Sequence, residues 1–308
     1  MKTIAQFVQA GITTLSDLQA ALQLAMQLEF ATIPPYLCAQ WSIDSSQDPD
    51  DVGDMIESIV VQEMFHFALA GNMLTAIGGT PSIANAAFVP TYPTNVLPGG
   101  IPQTLPVDLQ PLSTNQLQVF MQIEYPEFPP VALVAANPPA TIGGFYNTIA
   151  TGFTTVNPAI VANANSVKME EAVQITSIND ALAAIARIKG EGEGTEGSPD
   201  QPPADGTQLA HYYVFKEILV GKTLVQNGGK WTFTDPAIQF PKKVYNFSQS
   251  KATPDPSAPF NQALSQLLTE LQTCWTSGQK PSIRAMSNLQ SLGQNLIQQG
   301  IRPEFLWV

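Results

Sequence analysis

Glu63-Met-Phe-His66 places a carboxylate and an imidazole three residues apart, and the residues around them decide what that pair can do. Counted in steps of four and three, the stretch reads Val52, Ile56, Ile59, Glu63, His66, Ala70 and Met73. That is one face of an α-helix, apolar except at two adjacent slots. Turning an unpaired charge toward a core costs on the order of several kcal/mol, and a bound cation is the most economical partner to offset it. The pattern predicts half of a metal site.

The chain has only two histidines, His66 and His211, and both fall on inward stripes. Two other predicted helices put a Glu in a core slot. Leu18, Leu22 and Ala25 lead to Glu29, and Leu117 and Phe120 lead to Glu124. A four-helix bundle that bridges two metals with carboxylates needs about four Glu and two His from facing helices. Four inward Glu carry four negative charges, which two divalent cations cancel. Imidazole with carboxylate suits iron, manganese or zinc.

These residues must be positioned by a few strong helices. Ser16-Asp-Leu-Gln19 reads as a capping box opening the first, and Pro34-Pro35 predicts a bend or an end after Glu29. The central helix stops at Gly78-Gly79. Residues 80–112 form a long irregular connection with short strands at most. Ser113-Thr-Asn-Gln116 is a second capping box, and Pro126 ends its helix. A short helix over 144–152 and another over 178–188 follow, the latter running into a loop, Gly190-Glu-Gly-Glu-Gly194 and on to about Gly206. His211, Phe215 and Ile218 share the stripe of a helix ending near Gly221. Residues 226–246 suit a hairpin or irregular cover, and helices over 261–277 and 282–299 close the chain. The expected fold is mainly α: one domain over 1–308, a four-helix bundle from about 14–79, 113–126 and 177–222, long connections, and extra C-terminal helices over about 259–300.

Several stretches together resemble a known family. Glu29-Phe-Ala-Thr-Ile-Pro-Pro-Tyr36, Glu63-Met-Phe-His66 with Ala70-Gly-Asn-Met-Leu74, Ile123-Glu124-Tyr-Pro-Glu127, Gly192-Glu193-Gly194-Thr195 and His211-Tyr-Tyr-Val-Phe215 are similar to the ferritin-like family that includes iminophenyl-pyruvate dimer synthases. Those enzymes belong to bisindole pigment and antibiotic pathways. The resemblance runs from the first helix to the C-terminal helices. It implies a ferritin-like bundle with two iron ions held by Glu29, Glu63, His66, Glu124, Glu193 and His211. It also implies an oxidase or oxygenase that oxidises or couples an amino-acid-derived imine in secondary metabolism. Two alternatives stand beside it: a metal-oxidising protein without an organic substrate, and a scaffold whose site has decayed. Phe30, Tyr36, Trp41, Phe65, Tyr125, Tyr146, Tyr212 and Tyr213 read mostly as core, and a small aromatic substrate would use a subset near the ligands as pocket walls.

One position departs from the general ferritin-like pattern, since Gln208 stands three before His211 where a Glu is expected. The missing carboxylate then comes from Glu193 or Glu191. Three glycines interrupt the helical count, and the resemblance favours Glu193. Glu127 is a rival to Glu124, whereas Glu217, Glu170 and Glu171 read as solvated.

Composition narrows the rest. Charged residues are 12% of the 308, with a net charge of −12, which repels nucleic acid and anionic membrane surfaces. No run of roughly 18 apolar residues suggests a membrane span. The start, Met1-Lys-Thr-Ile-Ala-Gln-Phe, lacks the features of a signal peptide, so a cytoplasmic protein is expected. Cys38 and Cys274 show no metal spacing and read as buried free thiols. Self-association as a homodimer is left open.

Overall fold

In the computed structural model, a short helix α1 (Ile4–Ala10) precedes α2 (Leu15–Trp41), which carries Pro34 and Pro35 in its interior. The described residues are 2–101, 105–126, 141–169, 173–194, 198–201, 208–250, 252–280 and 283–308. The helix does not end after Glu29 but runs on through both prolines, and one long-range hydrogen bond supports its continuity. Pro35 has no N–H to offer the carbonyl of Ala31, four residues earlier. Tyr92 Oη donates to that carbonyl instead, at 2.6 Å, from a loop 61 residues further along. The cap also differs from expectation. Thr14, not Ser16, is the cap, accepting the first-turn amide of Asp17 at 3.1 Å.

Helix α3 (Val52–Ala76) packs along α2, and the chain turns at Gly78, whose φ of 76° suits a residue without Cβ. The described residues of 80–112 are irregular, as expected, with an isolated bridge between Thr94 and Val107, and 102–104 lie outside the described residues. Helix α4 (Thr114–Ile123) starts at Ser113, which accepts the Gln116 amide. The Gln116 side chain donates to the Asp108 carbonyl rather than closing the predicted box.

The remaining bundle helices are α5 (Ile142–Val156), α6 (Ile178–Glu193) and α7 (His211–Val220). Here α4 packs with α7, α5 packs with α6, and both pairs lie against α2 and α3. The C-terminal ends of α4 and α6 and the N-terminal ends of α5 and α7 meet, as contacts between Glu124 and His211 and between Glu193 and Gly143 show. Helix α6 is longer than the sequence predicts, because Gly190, Glu191, Gly192 and Glu193 are helical rather than looped. Each glycine weakens a helix by about 0.5–1 kcal/mol relative to alanine. A Cβ at Gly192 would stand in ordinary contact, 3.5 Å from Glu124 Oε2 in the cluster described below.

After α7, β1 (Thr223–Asn227) and β2 (Lys230–Thr234) form an antiparallel hairpin through Gly228 and Gly229, both at positive φ. Two further helices, α8 (Ala258–Ser277) and α9 (Ile283–Gln298), cover the face of α2 and α3 that looks away from the rest of the bundle. This second cover explains why α2 and α3 are apolar around most of their circumference. Trp275 of α8 is seated on Gly71, where a Cβ would lie 2.6 Å from the indole Cε2. Its Nε1 donates to Asn72 Oδ1 at 2.8 Å, and Asn72 Nδ2 donates to the Val167 carbonyl at 3.0 Å. Cys38 and Cys274 are buried and not bridged. Among the described residues, no helix is long and apolar enough to cross a membrane.

Candidate metal centre

Five of the six expected ligands converge. Glu29 comes from α2, Glu63 and His66 from α3, Glu124 from the C-cap of α4, and His211 is the first residue of α7. None is more than 5% exposed. Glu63 Oε1 lies 2.9 Å from His211 Nδ1 and 3.6 Å from His66 Nδ1. Glu29 Oε2 is 3.7 Å from His66 Nδ1, and Glu124 Oε2 is 3.7 Å from His211 Nδ1. Two triads result, Glu29–Glu63–His66 and Glu63–Glu124–His211, each with its donor atoms within 4.8 Å of one another. Glu63 belongs to both. Metal–oxygen and metal–nitrogen bonds of roughly 2.1 Å put neighbouring donors a little over 3 Å apart, so a modest contraction of each triad would close it on an ion.

The second oxygen of each carboxylate is held by a hydroxyl. Tyr146 Oη donates to Glu29 Oε1, Thr32 Oγ1 to Glu63 Oε2 at 2.8 Å, and Tyr36 Oη to Glu124 Oε1 at 2.6 Å. Each Glu thus presents its other oxygen to the histidines. The histidines are oriented from behind in the same way. His66 Nε2 is 2.8 Å from Glu191 Oε2, and Arg187 Nε donates to the other Glu191 oxygen at 2.6 Å. His211 Nε2 is 2.9 Å from Gln62 Oε1, and Gln62 pairs with Gln201 through two amide hydrogen bonds of 3.0 and 3.1 Å. A proton held at Nε2 leaves the Nδ1 lone pair of each ring facing the carboxylates. The two rings stack with centroids 5.6 Å apart and planes 24° apart.

Charge balance shows what the cluster accommodates. Burial pushes Glu29 up to about 7, with the Glu63 charge adding to the shift and His66 opposing it. Burial likewise raises Glu124. Burial would raise Glu63 too, but the His211 and His66 imidazoles beside it outweigh that and hold this carboxyl below its usual range. Burial pulls His211 down, yet Glu124 and Glu63 bring it up to about 9, and Glu191, Glu29 and Glu63 likewise raise His66. Without a cation, protons on the imidazoles supply the positive charge. His211 Nδ1 is nonetheless buried without a hydrogen-bond partner: at 2.9 Å it is near enough to Glu63, but wrongly directed. A buried nitrogen orphaned among carboxylate oxygens, in a set of imidazole and carboxylate donors, fits a divalent metal ion.

Glu193, the sixth expected ligand, occupies a different position. Its Oε1 accepts the Gly143 amide at 2.7 Å in the first turn of α5, where the helix dipole favours an anion. A Cβ at Gly143 would collide with that carboxylate. Glu193 still lines the small cavity at the centre together with Glu29, Glu63, His66, Glu124 and Tyr146. The cavity measures about 20 Å³, room for a water or an ion. Gln208 precedes α7 rather than lying on it, so the three-residue spacing to His211 has no helical meaning. It lines an outer cleft with Gln62, Arg187 and Glu191. Glu217, read as solvated, is instead 6% exposed and accepts the Leu224 amide at 2.5 Å. The tight turn at Gly221 brings β1 back across α7 and buries it. Glu127, Glu170 and Glu171 lie outside the described residues.

Sequence reading named Tyr36 and Tyr146 only as pocket walls and Glu191 only as a rival ligand, and it missed Thr32, Gln62 and Arg187. Thr32 and Tyr36 follow Glu29 by three and seven positions, so they share its helical face and that signal was available. Gln62, Arg187 and Tyr146 reach the site through packing between separate helices, which no local pattern encodes.

This bundle and its paired carboxylate–histidine triads define a ferritin-like protein. The ferritin-like family model matches residues 22–220, a span holding all six expected ligands, and the chain belongs to that family. A crystal structure of a ferritin-like protein from Caulobacter vibrioides superposes with a TM-score of 0.70 over 96% of this chain and 99% of the other, at 22% identity. At that identity the likeness concerns the fold. No curated protein matches the chain at a significant level.

Proposed function

We propose that this chain is an oxidoreductase working through a dinuclear metal centre, with iron as the resident metal. One observation carries the reading: Glu63 Oε1 lies between His66 Nδ1 and His211 Nδ1, at 3.6 and 2.9 Å, as one anionic oxygen serving two neighbouring sites. Glu29 and His66 would complete one site, and Glu124 and His211 the other. Glu193 is proposed as the fourth carboxylate. Its support is that it lines the same cavity and that a donor anchors one of its oxygens, as in the other three Glu.

Bound iron would supply electron transfer between a reductant and dioxygen. The chain's own groups set the conditions. Burial excludes bulk water from the carboxylates, and the Glu191 and Gln62 contacts fix the two rings. Tyr146 and Tyr36 keep a hydroxyl proton at Glu29 Oε1 and Glu124 Oε1, beside the oxygens that would face the metals.

The family resemblance extends the proposal to an amino-acid-derived imine as the molecule oxidised or coupled. The space at the centre, about 20 Å³, favours a second reading in which ferrous iron itself is the reductant. Elemental analysis followed by dioxygen uptake separates them. About two iron per chain and uptake stimulated only by aryl-imine substrates supports the first reading. Uptake driven by ferrous iron alone supports the second. Absence of metal after anaerobic iron loading would remove both.

A further inference from the structure

A second cavity, of about 330 Å³, lies between the α2–α3 pair and helices α8 and α9. It shares no lining side chain with the metal-ready triads. We infer that it is a binding site for a neutral amphiphile: a small molecule with an apolar body of about ten carbons and an uncharged polar head. The inference stands independently of the metal reading.

Size comes first. The pocket opens partly to solvent past Glu57 and Val61, and its volume is roughly twice that of the ~150 Å³ apolar cavity that takes up benzene. Its walls suit an adaptable apolar guest. Trp41, Phe67 and Trp275 supply ring faces and edges, and Met64, Met169 and Met286 supply flexible, polarizable side chains that can follow a guest's outline.

Charge then selects the head group. Among the described residues lining the cavity there is no lysine or arginine, and the charged one is Glu57, which is exposed. A fatty acid would find no cation for its carboxylate and would meet a like charge. Gln40 and Gln290, both half-buried in the lining, provide amide donors and acceptors that match a hydroxyl or a neutral amide.

The test titrates the full-length protein with 1-decanol and with decanoate, read by calorimetry and by tryptophan emission, since Trp41 and Trp275 line the cavity. Saturable one-to-one binding of 1-decanol, with decanoate at least about tenfold weaker, is the expected result. Ala68 also lines the cavity, so Ala68→Phe, which fills it, should weaken 1-decanol by at least about tenfold with metal content unchanged. Should that variant not fold, Gln290→Lys places a cation in the lining and should bring decanoate level with 1-decanol. Three results overturn the site: no saturable binding of 1-decanol, equal affinity for both ligands in the wild type, or a folded Ala68→Phe variant that binds as before. An emission change that tracks dimer formation in sedimentation, with no ligand bound, also overturns it, because a second copy then closes the cavity.

Discussion

His66 presents its two ring nitrogens to two different sets of carboxylates: Nδ1 faces Glu29 and Glu63, and Nε2 lies 2.8 Å from Glu191. Glu191 therefore acts on the centre through the ring, not by direct contact. We predict that Glu191→Gln weakens metal binding by about 10–100-fold while leaving the fold intact, the usual scale for a group that orients a ligand. Competition with a metallochromic chelator measures it. An unchanged affinity would mean that Glu191 takes no part in orienting His66.

Glu63 is shared, so its loss should differ in kind from the loss of its neighbours. Glu63→Gln is predicted to reduce metal content from about two per chain to less than one, whereas Glu29→Gln and Glu124→Gln each remove about one. Elemental analysis of the three variants side by side decides this, with circular dichroism as the folding control. Equal losses in all three would argue against a shared bridge.

The metal-free protein should have an uneven pH dependence. Burial moves Glu29 from its ordinary value of 4.5 up to about 7, and the neighbouring carboxylates move His211 from 6.5 up to about 9. In both cases the folded state binds the proton more tightly than the unfolded state. Their contribution to stability is complete below the unfolded value and is lost as pH rises through the folded one. We predict that the Tm of the metal-free protein falls between about pH 5 and pH 9. Glu63 is shifted downward and acts only toward acid, outside that window. Metal binding displaces these protons, so affinity should rise with pH over the same range, with proton release detectable in weakly buffered solution. A metal-free Tm that is flat across the window would contradict the protonated imidazoles inferred at the centre.

Tyr92 supplies the hydrogen bond that Pro35 cannot. Tyr92→Phe keeps the ring and strands the buried Ala31 carbonyl, so a loss of about 1–3 kcal/mol is expected. A lower urea midpoint at unchanged m-value is the readout. A midpoint equal to that of the wild type would show that the carbonyl finds another donor.

Much of the centre was legible because a helical period persists within one unbroken element. Glu29, Glu63 and His66 were placed by counting along α2 and α3, and His211 by its stripe with Phe215 and Ile218. Where the count crossed an element boundary it failed. Gln208 seemed to break a pattern that does not exist, since α7 starts at His211. Gly190 and Gly192 suggested a loop, but the stretch is helical, in an element that packs against α5, a contact no local pattern encodes. Glu217 looked solvated because the strand that covers it comes later in the chain. The proline pair looked like a helix end because its remedy, Tyr92, is remote in sequence.

The packing of α2 and α3 between two layers has a further consequence. Glu29 and Phe30 are adjacent in the chain, as are Glu63 and Met64, yet each pair opens into different rooms, one charged and one apolar. The two helices are a partition wall one residue thick in sequence. A guest seated against Phe30 and Met64 would rest on the same two helices that carry Glu29 and Glu63, and any coupling between the two sites would be reciprocal.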